Sequence, residues 1–465
     1  MSRPGDQGHA LRVAVVGSGP AGFFVVEHLF RRPGLDVMVD LIERLPVPYG
    51  LVRFGVAPDH LKIKNVVKKF AKTAADPRFR FLGNVEFGRH LTLDDLRAHY
   101  HATVFATGAQ TDRRLGVPGE DLDRSHPATE FVAWYNGHPD FRDRTFDLSV
   151  EKVAVVGVGN VAVDVARILC RTPEELERSD IAEHALDALR ASRVREVVML
   201  GRRGAAQAAF TSPEVKELGE LEGADCVTLP DEVALDPVSL EALGGEPDRE
   251  TARKLDILAS YAVEPSAPKP KRLKLRFGVS PVELIDDGRG AVGGVRIARN
   301  RLELRGGKVR AVATETVEAL DVSMVFRSVG YRGVALPDVP FRDDWGTIPN
   351  DAGRVLDAPE GAVVPGTYVA GWIKRGPSGV IGTNKPDAGE TVERILEDAA
   401  SGVLAAPAAP EPADVDGTLA ARGARPVSFD DWLRVDAAEI AAGESRGRPR
   451  VKVVTTAEVE RILGR

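Results

Sequence analysis

Cysteine is scarce in this sequence of 465 residues, which contains only Cys170 and Cys226. Two isolated thiols cannot form a disulfide framework, and without a C-x-x-C sequence they offer neither a redox dithiol nor the ligands of an iron–sulfur cluster. Both are expected to be buried or incidental thiols. The scarcity argues against enzymes that work through a dithiol and against subunits that carry their own clusters.

Long apolar runs are lacking too. No stretch approaches the roughly eighteen residues of a membrane span, and residues 1–11 have no apolar core of signal-peptide length, which together predict a cytoplasmic protein. Positive charge is not in excess, because 62 Lys and Arg residues face 69 Asp and Glu residues. This balance argues against a general nucleic-acid binder, and the 43% apolar and 28% charged residues predict a globular protein of two or three domains.

A glycine-rich motif stands near the N-terminus. An apolar run at 13–16 predicts a strand, the sequence GSGPAG at 17–22 predicts a tight turn into a helix, and a second apolar run ends at Glu43. The glycines let the backbone approach a pyrophosphate at the helix N-terminus, and an acid about twenty residues later accepts hydrogen bonds from a ribose. An ordinary glycine turn is the alternative for the bare pattern. The order of strand, turn, helix and acid predicts a site for an adenine dinucleotide with a free ribose, and the strand ending in Thr107-Gly108 is expected to complete it.

The same pattern recurs from Lys152. Its turn is GVGNVA at 157–162, and the strand at 196–201 ends in Arg202 and Arg203 instead of an acid. Two guanidiniums can bind a 2′-phosphate that a carboxylate would repel, so this unit is predicted to hold NADP. The alternative is a pair of surface cations. The extra stretch at 173–192 doubles the usual spacing and is predicted to be an inserted helix.

The remaining segments carry weaker signals. The loop at 44–60 is rich in proline and glycine yet apolar, so it is expected to fold over a cofactor or core, and a helix is predicted at 61–75. The strand at 366–372 precedes a glycine loop and a helix from about Pro386, whose N-terminus could stabilise the negative charge of a reduced flavin. Residues 404–417 are predicted to be a linker, and 427–463 a folded segment without assigned chemistry.

Together these motifs make the sequence resemble the adrenodoxin reductase-like ferredoxin-NADP reductases, including their bacterial branch. The resemblance covers nearly the whole chain. Its most specific motifs are GSGPAG at 17–22, YGLVRFGVAPDH at 49–60, GNVA at 159–162, GRRG at 201–204 and GVIGTN at 379–384. Val158 and Val163 depart from the family's commonest residues, in ways that affect packing more than chemistry.

The resemblance implies an α/β protein with two Rossmann-like dinucleotide-binding domains, the NADP domain being inserted into the FAD domain. The expected boundaries are 1–112 for the first FAD segment, 113–332 for the NADP domain, and 333–465 for the second FAD segment with a C-terminal extension. Hydride would pass from NADPH to N5 of FAD, and single electrons would then pass to a ferredoxin-type iron–sulfur protein. Nothing in the sequence resembles a fused ferredoxin domain, so this acceptor is expected to be a separate molecule, and the reductase a monomer.

The family also implies roles for particular residues. His60 and Glu214 match a polar pair near the nicotinamide amide, and Trp372 with Gly379 match residues that flank flavin and nicotinamide. From the residues alone, His60 would be a loop histidine satisfied by its neighbours and Glu214 a first-turn residue of a helix. No metal site is predicted. The predicted cofactor-binding residues are Gly17, Gly19, Pro20, Ala21, Gly22, Glu43, Arg44, Leu51, Val85, Thr107, Gly108, Gly159, Asn160, Val161, Arg202, Arg203, Glu214, Trp372, Gly379, Val380, Ile381 and Thr383.

Several alternatives share this architecture. A pyridine nucleotide-disulfide reductase needs the dithiol that is absent, and an FAD subunit resembling the small subunit of glutamate synthase normally adds cysteine clusters. A diaphorase with another acceptor and a non-catalytic NADP sensor stay open. Ferredoxins are usually acidic, and two basic groups are candidates for docking one: Lys62, Lys64, Lys68, Lys69 and Lys72, and Lys269, Lys271, Arg272 and Lys274.

Overall fold

The computed structural model describes residues 3–465, which form two compact units. The first unit comprises the described residues up to Val56, His60–Thr111 and Tyr331–Arg465, and the second comprises Ala57–Asp59 and Asp112–Gly330. Both ends of the chain therefore belong to one unit, and the middle is inserted as the other. The expected first boundary, after residue 112, lies one residue beyond the division after Thr111. The expected second boundary, after residue 332, lies two residues beyond the division after Gly330.

The described residues contain eighteen strands: β1 (Leu11–Val16), β2 (Val37–Ile42), β3 (Phe79–Leu82), β4 (Ala102–Phe105), β5 (Thr111–Asp112), β6 (Ser125–Pro127), β7 (Lys152–Val156), β8 (Glu196–Gly201), β9 (Ala224–Thr228), β10 (Lys271–Phe277), β11 (Val279–Asp286), β12 (Val292–Arg305), β13 (Lys308–Leu320), β14 (Met324–Arg327), β15 (Tyr331–Arg332), β16 (Asn350–Asp351), β17 (Arg354–Leu356) and β18 (Val363–Val369).

They also contain eighteen α-helices: α1 (Pro20–Phe30), α2 (Leu51–Phe54), α3 (Leu61–Lys64), α4 (Val67–Ala74), α5 (Leu93–His99), α6 (Ala128–Tyr135), α7 (Asn160–Cys170), α8 (Pro173–Glu177), α9 (Glu183–Arg190), α10 (Ser212–Leu218), α11 (Pro230–Val233), α12 (Pro237–Ala242), α13 (Arg249–Ser260), α14 (Trp372–Arg375), α15 (Asn384–Ser401), α16 (Pro412–Ala421), α17 (Phe429–Glu444) and α18 (Thr456–Leu463). Short 3-10 helices lie at Pro139–Phe141, Ala205–Gln207 and Ile381–Thr383.

The first unit is built on a seven-stranded sheet in the order β16-β17-β18-β4-β1-β2-β3. Its five strands from β18 to β3 run parallel, and β16 and β17 add an antiparallel edge. The chain leaves β1 for β2 and β3 on one side and returns through β4 on the other. Open α/β sheets bind ligands at the carboxyl ends of the strands where the order reverses in this way.

Burial on both faces explains the apolar sequence of β1. Its alternate residues belong to two core clusters, with Val13 and Val15 in one and Ala14 and Val16 in the other. A parallel strand that is covered on both faces needs apolar side chains throughout. The helix α15 packs against α1 on one face, where a Cβ at Gly389 would lie 3.2 Å from the ring of His28.

The second unit has a six-stranded parallel sheet in the order β6-β14-β7-β8-β10-β9. It repeats the reversal of the first unit, since β8 lies on one side of β7 and β14 on the other. One face is covered by helices, and the other by the antiparallel sheet β11-β12-β13 through residues such as Val292, Val295 and Ile297.

Four segments differ from expectation. The helix predicted at 61–75 is broken into α3 and α4, and the stretch at 173–192 forms two helices, α8 and α9. The linker predicted at 404–417 runs into α16, whose Val415 and Leu419 are buried. Residues 219–270 are polar and show no strand pattern in the sequence, yet they contain β9. Among the described residues, no helix combines the length and apolar character needed to cross a bilayer.

Candidate dinucleotide-binding sites

The glycines of the first turn fall into two physical groups. Gly17 has a φ of +109°, and a Cβ there would lie 2.5 Å from the carbonyl oxygen of Ala106. A Cβ at Gly22 would lie 2.1 Å from the carbonyl oxygen of Gly17. Both positions therefore require glycine for packing, whereas a Cβ at Gly19 would meet nothing within 4 Å. The open space at Gly19 is where a pyrophosphate could approach the backbone.

The helix α1 begins directly at this space. Gly19 is its N-cap and Pro20 its first residue, and no side chain caps the helix. The free N–H groups and the positive end of the helix dipole therefore remain available to an anion. Ala21 and Gly22 follow in the first turn and are buried against the sheet.

Glu43 lies at the end of β2, beside the turn. Its Oε2 accepts hydrogen bonds from the N–H (3.1 Å) and the hydroxyl (2.7 Å) of Ser18, and its Oε1 accepts one from the N–H of Leu45 at 3.0 Å. Val85 donates its N–H to the carbonyl oxygen of Glu43 at 2.9 Å, and Arg44 is exposed next to it. The carboxylate is thus held at the turn with lone pairs left for a ribose.

The loop at 44–60 folds over the same turn. The N–H of Tyr49 donates to the carbonyl oxygen of Ser18 at 3.1 Å. A Cβ at Gly50 would lie only 2.9 Å from the Cα of Gly19. Leu51, half-buried, then opens α2. The loop therefore packs on the glycine turn at its Tyr49-Gly50 end, and the expectation that it covers a cofactor stays a prediction.

The strand β18 brings a second segment to α1. Gly371, with a φ of +78°, follows this strand, and a Cβ there would lie 2.6 Å from the Cβ of Ala21. Its N–H donates to Oδ2 of Asp387 at 2.6 Å. Trp372 begins α14, where its ring packs 5.4 Å from that of Tyr331 and its Nε1 donates to the carbonyl oxygen of Ser378 at 3.1 Å.

The glycine loop at 376–383 leads into α15. Gly379 has a φ of +78°, and Val380 exposes 57% of its surface. The hydroxyl of Thr383 donates to the carbonyl oxygen of Val380 at 2.7 Å, and Arg375 donates to that hydroxyl at 3.1 Å. Ile381 belongs to the 3-10 turn that precedes α15, so the helix begins two residues earlier than expected, at Asn384.

Thr107 and Gly108 follow β4 directly and are half-buried. Their neighbour Ala106 forms the close contact with Gly17. The structure therefore brings the glycines of the first turn, Glu43, the Thr-Gly pair and Trp372 into one unit.

The turn of the second unit repeats the division between required and open glycines. Gly157 has a φ of +137°, and a Cβ there would lie 2.1 Å from the carbonyl oxygen of Ser328, while a Cβ at Gly159 would meet nothing within 4 Å. Asn160 begins α7 with no side-chain cap, and its Oδ1 accepts the N–H of Thr211 at 3.1 Å. Val161, half-buried, follows in the first turn.

Arg202 and Arg203 follow β8, where a ribose acid would otherwise stand. Arg202 is exposed and Arg203 half-buried. Burial lowers the pKa of Arg203, and the positive charges of Arg202 and of Arg310 on β13 lower it further. None of the three side chains forms an ion pair with a described residue, so this place gathers positive charge without a counter-charge. A 2′-phosphate would supply that counter-charge.

The strand β12 holds this cluster in place. Asn300 donates its side-chain N–H to the carbonyl oxygen of Arg202 at 2.7 Å. The N–H of Gly278 donates to the carbonyl oxygen of Arg203 at 2.9 Å. The sequence did not predict that Arg310 would lie near Arg203. Arg310 is about a hundred positions beyond the motif, and only the antiparallel pairing of β12 with β13 brings it close.

The two predicted positioning residues lie in different units. His60 is the N-cap residue of α3 in the first unit. Glu214 lies in the first turn of α10 in the second, where its Oε2 is 3.6 Å from Nη1 of Arg167.

Arg167 is a functional candidate that sequence reasoning missed. Its side chain is fully buried, and its guanidinium donates to Asp59 at 2.8 Å and 3.1 Å and to Asp164 at 2.7 Å. Asp59 immediately precedes His60, and it also accepts from Arg171 at 2.7 Å. The available signal was the pair of Asp164 and Arg167, spaced three residues apart in the mostly apolar helix α7.

The cysteines bear no sign of redox chemistry. Cys170 and Cys226 are free, and Cys170 is fully buried. Burial raises the pKa of the Cys170 thiol to about 12. Such a thiol stays protonated at neutral pH and is a poor nucleophile.

Two parallel sheets, each with a glycine turn at its reversal point, define a pyridine nucleotide oxidoreductase with two dinucleotide-binding units. The family model described as pyridine nucleotide-disulphide oxidoreductase matches residues 11–203. The dithiol in that description has no counterpart in this chain, where both cysteines are single.

Relatives that match nearly the whole chain define the family more narrowly. The chain is 45% identical to NADPH-ferredoxin reductase FprA of Mycobacterium tuberculosis strain H37Rv over 97% of its own length and 98% of the relative. It is 44% identical to human mitochondrial NADPH:adrenodoxin oxidoreductase over 97% of this chain and 92% of that one. The structure of M. tuberculosis FprA in complex with NADPH superposes with a TM-score of 0.90 at 46% identity, covering 97% of this chain and 99% of that one. The chain belongs to the family of NADPH-ferredoxin and adrenodoxin reductases.

Proposed function

We propose that this protein is an NADPH-ferredoxin oxidoreductase that holds FAD in its first unit and NADP in its second. The observation that carries the proposal is the contrast between the two turns. One ends at the carboxylate of Glu43, and the other at the guanidiniums of Arg202 and Arg203, with Arg310 beside them. A free ribose suits the first and a 2′-phosphate the second.

The residues fit these groups at several points. The open space at Gly19 and the uncapped start of α1 suit the FAD pyrophosphate, and Gly159 with α7 suits that of NADP. When bound, FAD accepts a hydride from NADPH at N5 and passes electrons on singly. His60, Glu214 and Trp372 are proposed to position the reacting rings, because hydride transfer depends on geometry more than on an acid or base.

The proposed acceptor is a separate, acidic iron–sulfur protein of the ferredoxin type. Of the first basic group, Lys64 is buried and Lys69 pairs with Glu27 at 2.7 Å. Lys62, Lys68 and Lys72 are exposed. They share α3 and α4 with Leu61 and Ile63, which expose 36% and 44% of their surfaces. We call these five residues, Leu61, Lys62, Ile63, Lys68 and Lys72, the lysine face; charged and apolar side chains of this kind suit transient docking.

The second basic group is engaged locally. Lys269 donates to the carbonyl oxygen of Leu221 at 2.5 Å, and Lys271 to that of Leu169 at 2.8 Å. Arg272 pairs with Glu264. The lysine face is therefore the better candidate for docking. A monomeric state and a cytoplasmic location belong to the same proposal, and the scarcity of cysteine is consistent with the location.

Anaerobic mixing with NADPH or NADH, followed by a ferredoxin, tests the function. The flavin should bleach with NADPH and recover its colour as ferredoxin is reduced. Preference for NADPH should be at least about tenfold and should be lost in R202A/R203A, since tenfold corresponds to about 1.4 kcal/mol of phosphate recognition. The exposed Arg289 supplies a matched control, R289A, that should keep the preference.

Other results would redirect the assignment. Equal use of NADH by the natural protein would contradict the role of the two arginines. Flavin bleaching without ferredoxin reduction would favour a diaphorase with another acceptor. Nucleotide binding without any bleaching would favour a sensor.

A further inference from the structure

The C-terminal segment makes a bidentate polar contact with the loop over the first glycine turn. We call residues 429–463, which contain α17 and α18, the C-terminal latch. Arg53, buried in α2, donates from Nη1 and Nη2 to the two carboxylate oxygens of Glu439 at 3.0 Å and 2.5 Å. Its Nη2 also donates to the carbonyl oxygen of Val453 at 3.3 Å.

The carboxylate of Glu439 is buried at this contact. Its side chain has no exposed surface, and it also accepts from Arg450 at 2.9 Å and from the N–H of Val453 at 2.7 Å. Burial alone would raise the pKa of Glu439, but the guanidiniums of Arg53 and Arg450 hold it below its ordinary value. The carboxylate is therefore charged and bound from both the loop and the latch.

Aromatic contacts reinforce the same junction. The guanidinium of Arg53 lies 5.1 Å from the ring centre of Trp432. The ring of Trp432 meets that of Tyr49 edge to face at 5.9 Å. Burial raises the pKa of Tyr49 to about 12, so its hydroxyl remains neutral.

Tyr49 is the residue that needs such support. Its φ of +87° is a costly conformation for a side-chain-bearing residue, which persists only where surrounding contacts impose it. The same residue donates its N–H to Ser18, and the following Gly50 packs on Gly19. A chain of contacts thus runs from Glu439 through Arg53 and Tyr49 to the backbone of the glycine turn.

We propose that the C-terminal latch positions the 49–54 loop on the first glycine turn and thereby controls how tightly FAD is retained. Glu439, Trp432 and Arg53 are positioning residues in this proposal, which rests on the assignment of FAD to the first unit. A buried ion pair is a costly way to fill space, because well-packed apolar side chains are often as stable. Its bidentate geometry instead fixes the loop in one register.

The test measures FAD release from the purified holoprotein by the rise in free-flavin fluorescence, at a temperature where every variant is folded. E439Q and W432F should release FAD at least about fivefold faster than the natural protein and should show an altered visible circular dichroism of the bound flavin. W432F keeps an aromatic ring but removes part of the indole that contacts Arg53 and Tyr49, so it carries the test if E439Q does not fold.

D398N is the matched control. Asp398 forms a comparable part-buried bidentate pair with Arg354 in the same unit and accepts from the hydroxyl of Tyr368 at 2.6 Å. D398N should keep FAD release within about twofold of the natural protein, even where its unfolding temperature falls as far as that of E439Q. If FAD release instead follows the fall in unfolding temperature in all three variants, or does not change in E439Q and W432F, the latch has no positioning role. A natural protein that binds no FAD would overturn the proposed function itself.

Discussion

Arg167 of α7 is a fully buried charge in the second unit. Arg167 is surrounded by carboxylates: Asp59 and Asp164 within 3.1 Å, and Glu214 at 3.6 Å. Replacing Arg167 by methionine keeps the apolar stem and removes the charge that these three acids share, which leaves only Arg171 paired with Asp59. We expect R167M to lower the free energy of unfolding by about 3–5 kcal/mol, since loss of one partner leaves buried charges uncompensated. Urea unfolding followed by circular dichroism measures this.

An exposed ion pair supplies the comparison for R167M. Arg142 pairs with Asp143 at 3.4 Å, and the side chain of Asp143 is 90% exposed. R142M should change the free energy of unfolding by less than about 1 kcal/mol. A similar small change in R167M would mean that the surrounding carboxyls do not depend on the arginine for their charge.

Asp112 should give the fold a pH dependence of unusual sign. It accepts hydrogen bonds from the N–H (3.1 Å) and the hydroxyl of Thr129, yet burial raises its pKa to about 6. The unfolded chain has an ordinary pKa near 3.9, so between about pH 4 and 6 the folded protein holds a proton that the unfolded chain has lost. The stabilisation is present below pH 4 and is lost as the pH rises through 6.

D112N isolates this contribution, because an amide oxygen can still accept from Thr129 but does not titrate. Relative to D112N, the natural protein should lose about 2 kcal/mol of unfolding free energy between pH 4.5 and pH 7.5. Paired urea titrations at several pH values measure the difference. A difference that does not vary with pH would mean that Asp112 ionises normally in the folded protein.

At the scale of elements, the two kinds of glycine in the first turn should behave differently. In G22A, the Cβ would lie 2.1 Å from the carbonyl oxygen of Gly17, so β1 and α1 cannot keep their packing. We expect a loss of about 1–3 kcal/mol or more of stability together with loss of FAD. In G19A the new Cβ meets nothing within 4 Å, so the fold should survive while the methyl group occupies the approach to the pyrophosphate.

G159A is the equivalent change in the second unit, where the Cβ also has open space. It should keep FAD and lose affinity for NADPH. Flavin content, NADPH titration and unfolding midpoints of the three variants measure these effects. FAD retained at full occupancy in G19A would contradict the assignment of the open space to the pyrophosphate.

The elements that could be predicted from sequence are those whose signals are local. The two turns, and the acid or arginines that follow the next strand, were predicted because each set lies within one local strand–turn–helix–strand motif. The strand β9 was missed because its residues are partly polar, and α3 and α4 appeared as one helix because the lysine pattern runs across the break. The pair of Arg53 with Glu439, 386 positions apart, carries no local signal at all. For the same reason the C-terminal segment could be predicted to fold but not to serve the first glycine turn.

At the scale of the whole molecule, charge is unevenly placed. The chain has a net charge of −7, yet Lys62, Lys68 and Lys72 project from the lysine face without an ion-pair partner among the described residues. An acidic partner would be steered toward this face and repelled elsewhere. Ferredoxin reduction should therefore slow as salt rises from about 50 to 500 mM, because the Debye length falls well below 10 Å.

The triple variant K62E/K68E/K72E tests whether the lysine face is responsible. It should slow electron transfer to ferredoxin by about tenfold or more at low salt and abolish most of the salt dependence, while flavin reduction by NADPH stays unchanged. Arg89, Arg97 and Arg434 are exposed and pair with their own neighbouring acids. Reversing these three charges alters the net charge by the same amount at other places, so a general charge effect would slow both triple variants equally. A rate that falls only when the lysine face is reversed would assign docking to that face, whereas equal rates in the natural protein and K62E/K68E/K72E would move the docking surface elsewhere.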